Sequence, residues 1–290
     1  MRIKDKVTYR ALGLLHVYLK RLSRHAVSKL GARTGSFFFH NFPIRKDVAL
    51  NNLRLAFPEK NEDYYEQITR QTYCHFGQIF MDVLRADTID PSRNITVENR
   101  HILDEACKQG KGVILLSGHF GNWEMIGVWF AAEGFDLHAV VRGQKNRGAN
   151  RYFMELRRRC GTFPLYASSP ASKMLRSLKN GGILALASDQ NAKKKGVFVN
   201  FFGKPAATPK GAAVLHLKTG APIVISICSR NSDGTYHLRF DSLPADEEYR
   251  NPVTSVMQNF TSFLEAVVRQ NPEQYFWFHK RWKTRPPNSS

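Results

Sequence analysis

In the segment SGHFGNWE (residues 117–124), His119 and Glu124 stand five positions apart. An imidazole titrates near neutral pH and can take a proton from a hydroxyl if one ring nitrogen is held and the other left free. Glu124 is a candidate for holding it. On a continuous helix, five positions would turn the two side chains about 140° apart. They meet only if His119 lies in a loop and Glu124 opens the following helix. Gly118 and Gly121 favour such a turn, because glycine adopts backbone angles that other residues resist. The start of the helix would add unpaired amides and the positive end of a dipole, which suit an anion. The spacing does not fit a zincin, which needs HExxH on one helical face. Residue types alone leave a structural and a catalytic role both open.

The elements around this pair explain how it could be positioned. A short apolar run, Val113–Leu116, reads as a buried strand just before His119. Helices are expected over 100–109, 122–133 and 147–160, with Gly110, Gly134 and Gly161 as their stops. Strands are expected at 137–141, 163–166 and 183–187, with a helix over 170–180. Pro209 opens a helix to 219, strands follow at 223–228 and 236–240, and Pro252 precedes a last helix to about 270. This alternation predicts an α/β fold: a central mixed, largely parallel sheet flanked by helices. Arg142 and Asp189 then fall just past strand ends, as His119 does. That is the crevice where open α/β sheets bind ligands.

The N-terminal part has a different pattern. Over residues 7–30, Ala11, Leu15, Tyr18, Leu22, Ala26 and Leu30 recur at helical spacing, with basic residues on the remaining surface. Such a helix suits an anionic bilayer interface, with Leu15, Tyr18 and Leu22 in contact, or a packed face of the domain. A second helix is expected around 62–85. The aromatic segment 35–45 reads as a loop whose Phe37, Phe38, Phe39 and Phe42 form either an exposed, membrane-inserting patch or a buried hinge. The organisation expected is 1–90 as membrane-associated helices, 91–285 as the α/β core and 286–290 as a frayed tail.

Charge narrows the partners. The 290 residues hold 43 Lys+Arg against 24 Asp+Glu, a net +19, so the surface should meet something negative. No RNP, KH or zinc-finger pattern is present, which argues against nucleic acid. The four cysteines, at 74, 107, 160 and 228, lack the paired spacing of a zinc or redox site, and no metal is expected. No secretory signal pattern opens the chain, and its longest apolar run falls short of the roughly 20 residues a membrane span requires.

The SGHFGNWE segment resembles the HX4D/E motif of glycerolipid acyltransferases, in the form used by the lipid A late (secondary) acyltransferases. Four further segments resemble that family in the same order: NNLRLAFPE (51–59), LRRRCG (156–161), SDQNAKKKGVFVNFFGKPAATPKG (188–211) and YFWFHKRWKTRPP (275–287). Two departures stand out. Asp82 occupies a position where many members carry glutamate, and the loop Lys193–Lys195 is more basic than usual.

The resemblance implies an O-acyltransferase of the glycerolipid acyltransferase-like fold. It would move a fatty acyl chain from an acyl carrier protein thioester to a hydroxyl of a lipid A precursor. A mannosylated or other phosphorylated glycolipid is the alternative acceptor, and a non-catalytic membrane-binding protein the alternative from another class. His119 would be the general base and Glu124 its orienting partner, with no cofactor. Backbone amides after His119, at Gly121 and Asn122, or the Arg157 guanidinium would meet the oxyanion. Asp189 would anchor a sugar hydroxyl or a basic side chain. Arg142, Lys193, Lys194, Lys195, Lys204 and Lys210 are candidates for binding substrate charge. Phe198, Phe201 and Phe202 are candidates for an acyl channel. The protein is expected on the cytoplasmic face of the inner membrane, peripheral and bound to anionic lipid.

Overall fold

A computed structural model describes residues 2–244 and 250–287. Part of the tail expected to fray, residues 288–290, lies outside the described residues. Four helices come first: α1 (Ile3–Lys20), α2 (Arg24–Asn41), α3 (Lys46–Ala56) and α4 (Glu62–Leu84). A short α5 (Pro91–Asn94) leads into β1 (Ile95–Glu98). The alternating part then runs α6 (Arg100–Lys108), β2 (Val113–Ser117), α7 (Glu124–Ala132), β3 (Leu137–Val141), α8 (Arg147–Arg159), β4 (Phe163–Tyr166), α9 (Ala171–Lys179) and β5 (Ile183–Ala187). A hairpin of β6 (Val197–Phe201) and β7 (Lys204–Thr208) follows. Then come α10 (Gly211–Thr219), β8 (Ile223–Arg230), β9 (Tyr236–Ser242), α11 (Pro252–Gln270) and a 3-10 turn at Pro272–Gln274.

Among the described residues, seven strands form one sheet in the order β1-β9-β8-β2-β5-β3-β4. Only the β8–β9 pair is antiparallel. The fold is therefore α/β, with a mixed, mostly parallel sheet flanked by helices and a helical N-terminal region. Strand β2 lies between β8 and β5 and is buried along its whole length, as a central parallel strand covered on both faces must be. It delivers His119 to the middle of the sheet's C-terminal edge.

Two sequence expectations needed revision. The single helix expected over 7–30 is two, because Ser23 adopts an extended conformation and its side chain accepts from Ala26 N as a helix cap. The aromatic segment read as a loop is helical through Asn41: Phe39 turns into the core while Phe37 and Phe38 stay exposed. The hairpin β6–β7 and strand β1 were not anticipated.

Helices α2 and α4 cross at backbone contact. A Cβ on Gly35 would lie 2.1 Å from the Tyr73 carbonyl oxygen, and one on Gly77 would lie 2.2 Å from that of Gly31. Glycine at both helices is what lets them approach so closely. Leu53, Phe57 and Tyr65 of the helical region share one buried cluster with Ile114, Phe201 and Trp277. The N-terminal helices thus pack directly against the layer that supports the site.

Candidate active site

The loop after β2 is held from two sides. Phe276 N donates to the His119 carbonyl (3.0 Å), Gly121 N to the Gln274 carbonyl (2.9 Å) and Asn122 N to the Cys228 carbonyl (2.8 Å). Phe120 is buried beneath them. Gly121 has a φ of +57°, and a Cβ there would lie 2.0 Å from the Cys228 oxygen. This position accepts glycine for both reasons.

Asp189 follows β5, the neighbour of β2, two residues beyond the register pair Ser117–Ala187. Its carboxylate grips His119 twice. Oδ1 accepts from the imidazole Nδ1 at 2.6 Å, and Oδ2 accepts from the backbone N at 3.0 Å. A carboxylate can only accept there, so Nδ1 carries the proton. Nε2 then holds the lone pair and has no hydrogen-bond partner among the described residues. The Trp123 and Phe276 rings stand 4.9 and 6.3 Å from the imidazole and wall it in.

Burial pulls the His119 pKa down. The charge and hydrogen bond of Asp189, with added charge from Glu124, outweigh that and leave it above 6.5, against a small opposing effect of Arg142. Burial pushes Asp189 up, but its bonds to His119 and the charge of Arg281 hold it below the ordinary carboxylate value. The pair is built to favour imidazolium beside carboxylate.

Glu124 does not hold the imidazole, as its spacing had suggested. It opens α7 and accepts both Nε (2.9 Å) and Nη2 (2.5 Å) of Arg157, in the last turn of α8. The bidentate pair is only about one-fifth exposed on each side. Asp189 takes the orienting position instead. The Gly121 and Asn122 amides, expected to meet an oxyanion, are already committed to backbone carbonyls.

Other predicted residues separate into those near the site and those apart from it. Arg142 is exposed beyond β3, close enough for its charge to reach His119. Lys193, Lys194 and Lys195 form an exposed 3-10 turn, and Lys204 and Lys210 are also exposed. Phe201 and Phe202 do not line an open channel. Phe201 stacks on Trp282, and Phe202 meets Phe57 edge-on with Arg269 over its face. Phe198 is half-buried. Leu15 and Leu22 turn inward onto the cluster of Leu19, Val27, Leu84 and Leu156, whereas Tyr18 is exposed.

Sequence reasoning missed a supporting layer. Asp82 Oδ2 accepts from Arg230 Nε (3.1 Å) and from Tyr236 OH (2.6 Å), and that hydroxyl accepts from Asn122 Nδ2 (3.2 Å). The acid at position 82 therefore braces the loop carrying His119 through Asn122. Arg281, almost fully buried, donates to the Ala207 carbonyl (3.0 Å) and to Thr208 Oγ1 (2.5 Å). His279 accepts from Asn191 N (2.9 Å), and burial holds its pKa down to about 4, so it is neutral. The only signal for His279 and Arg281 was their place in the quoted C-terminal segment.

Residues 7–284 match the family model described as bacterial lipid A biosynthesis acyltransferase. The chain is 25% identical over 290 residues to the lipid A biosynthesis palmitoleoyltransferase of Escherichia coli K12, covering 98% of this chain and 93% of that protein. It is 24% identical to the lauroyltransferase of the same organism, covering 97% and 92%. It is also 25% identical over 216 residues to a phosphatidylinositol mannoside acyltransferase of Mycobacterium tuberculosis, covering 71% and 67%.

Proposed function

We propose, for a chain that belongs to the bacterial lipid A biosynthesis acyltransferase family, that it moves a fatty acyl group from an acyl carrier protein thioester to a hydroxyl of a lipid A precursor. The observation that carries the chemistry is the His119–Asp189 contact at 2.6 Å, which leaves Nε2 available as a base. In the proposed reaction Nε2 takes the acceptor hydroxyl's proton as its oxygen attacks the thioester carbonyl. A tetrahedral oxyanion forms. Its collapse breaks the C–S bond, and Nε2 returns the proton to the departing thiolate. Asp189 stabilises the imidazolium meanwhile. Glu124 keeps a catalytic role as a positioning residue, by fixing Arg157, whose remaining Nη1 is the proposed donor to the oxyanion. A narrow recess beside Glu124, lined by Val83, Val128, Phe153 and Leu156, is the proposed entry for the acyl tail.

Mannosylated phosphatidylinositol is a second acceptor reading, favoured by the comparable identity to the mycobacterial relative. One assay separates them. Purified protein is offered a panel of acyl carrier protein thioesters with either a lipid A precursor or a phosphatidylinositol mannoside. Acyl transfer to the lipid A precursor, absent in His119→Ala, is the expected result. Transfer only to the mannoside would replace the acceptor, and transfer to neither would end the reading.

Peripheral attachment to an anionic, cytoplasm-facing membrane belongs to the same proposal. No helix among the described residues is long and apolar enough to cross a membrane. On α1, Ile3, Val7, Leu14, Val17 and Tyr18 are exposed, and at about 100° per residue they fall within one arc of about 100°. Exposed Lys4, Lys6, Arg10, Lys20 and Arg21 accompany this face. It is a different face from the stripe expected at the outset, because Leu15 and Leu22 are used in packing. The double variant Leu14→Asp/Val17→Asp is expected to lose tenfold or more of its affinity for vesicles containing anionic lipid, with an unchanged thermal midpoint. Undiminished vesicle sedimentation would show that this face is not the contact.

A further inference from the structure

A second, polar cavity of about 740 Å³ opens to solvent between α4, the end of β8 and the 3-10 turn. Its wall shares residues with the brace of the catalytic loop: Gln274, whose carbonyl accepts from Gly121 N, and Arg230, which Asp82 holds. Arg70, Gln71, Ser229, Asn231 and Asn271 complete much of the lining, and no Phe, Tyr or Trp takes part. Amides, hydroxyls and guanidinium groups in an open cavity suit neither an acyl tail nor a stacked base. They match the vicinal hydroxyls and phosphate of a sugar.

Two lining side chains carry buried nitrogens behind the cavity wall. His75 and Arg230 are each 7% exposed, and His75 Nε2 and Arg230 Nη2 have no hydrogen-bond partner among the described residues and no contact with solvent. Buried polar groups without partners are rare, and a ligand in the cavity would reach these two only if the wall shifts as it enters. Burial drives the His75 pKa down to about 3, so the ring is neutral and can give or accept one bond. The wall also carries one acid, Glu273, whose pKa burial pushes upward.

We infer that this cavity binds the polar head of the acyl acceptor, a phosphorylated saccharide, with Arg70 meeting its phosphate. The inference rests on the glycolipid acceptor proposed above. Reach is adequate. Gln274 on the cavity wall and Phe276 against His119 are two residues apart across the extended Tyr275, about 7 Å along the backbone. A disaccharide is about that long, so the proposal requires its far sugar in the cavity with a hydroxyl-bearing arm at Nε2.

The test is ligand-detected NMR titration of the full chain in detergent with glucose 1-phosphate, inorganic phosphate and methyl glucoside. Glucose 1-phosphate is expected to bind more tightly than either fragment. Arg70→Ala should weaken it at least fivefold, and Gln71→Trp, which fills the cavity, should abolish it. In acyl transfer, Arg70→Ala should raise the acceptor KM at least fivefold at unchanged kcat. Equal binding by wild type and Gln71→Trp, no binding by wild type, or inorganic phosphate binding as tightly as the sugar phosphate would each overturn the site. Because the titration needs no turnover, sugar-phosphate binding without any acyl transfer would instead count against the proposed reaction and leave the cavity standing.

Discussion

Asp189→Asn is expected to lower the rate of acyl transfer by about 10³- to 10⁴-fold, comparable to loss of the acid in Ser-His-Asp triads. The substitution keeps size and shape, so the change reads out electrostatics and tautomer choice. In the wild-type protein the carboxylate accepts from Nδ1, which fixes the proton there and leaves Nε2 as the basic nitrogen. An asparagine amide can donate to Nδ1 instead, which puts the proton on the wrong nitrogen. It also removes the charge that stabilises the imidazolium formed during attack.

The pH profile gives the same argument a sign. A general base works in its unprotonated form, so kcat/KM should rise with pH through the His119 pKa. Asp189, aided by Glu124, holds that pKa above 6.5 against the effect of burial. Removing the Asp189 charge leaves burial less opposed, so the acid limb should move to lower pH in Asp189→Asn. Measuring kcat/KM from pH 5 to 9 in both proteins checks it. A variant within fivefold of wild type, with its acid limb unmoved, would remove Asp189 from the catalytic machinery. Glu124 predicts a different pattern, because its carboxylate is spent on Arg157 and reaches His119 only through charge.

The contrast between these two acids shows what local sequence can and cannot carry. The strand before His119 and the helix start at Glu124 placed both residues at the sheet edge, and the resemblance of SGHFGNWE to a family motif singled them out. Which acid holds the imidazole was not, because Asp189 lies 70 residues away. It arrives beside His119 only through the parallel register of β2 with β5, and nothing in either segment encodes that register. Alternation and the glycine stops located the strands from β2 onward to within a residue or two. They missed β1, which has only four residues, and the hairpin β6–β7, whose basic and aromatic residues drew a reading as substrate contacts. Phe201 and Phe202 illustrate the same limit. Their types suit a channel or a core equally, and only the neighbouring Trp282 and Phe57, remote in sequence, decide for the core.

The Asn122–Tyr236–Asp82–Arg230 chain makes a related point about departures from a family pattern. Asp82 stood out in the sequence as a substitution for glutamate with no assigned task. In the fold its carboxylate is buried and accepts two hydrogen bonds within a layer that fixes the loop after His119. A position that varies between two acids can therefore be a brace for the site without touching substrate.

The second large effect is expected at Gly121, where fold and site meet most tightly. Gly121→Ala should destabilise the protein by about 3 kcal/mol, combining left-handed backbone strain with overpacking. In a chain of this size that lowers the thermal midpoint by about 5 °C. The added methyl would meet the Cys228 carbonyl oxygen at 2.0 Å, a backbone atom that cannot swing aside as a side chain could. Relief must come from moving the loop, which would break the Gly121–Gln274 and Asn122–Cys228 bonds and shift His119 off Asp189. Acyl transfer should therefore fall at least a hundredfold even at temperatures where the variant stays folded. Gly134→Ala is the control. Gly134 has a similar positive φ, 76°, but a Cβ there meets nothing within 4 Å, so backbone strain alone should cost about 1 kcal/mol and leave activity intact. Thermal melts and initial rates on both variants separate strain from collision. If Gly121→Ala proved no worse than Gly134→Ala in either measurement, the clamp between Cys228 and the catalytic loop would not be what holds His119 in place.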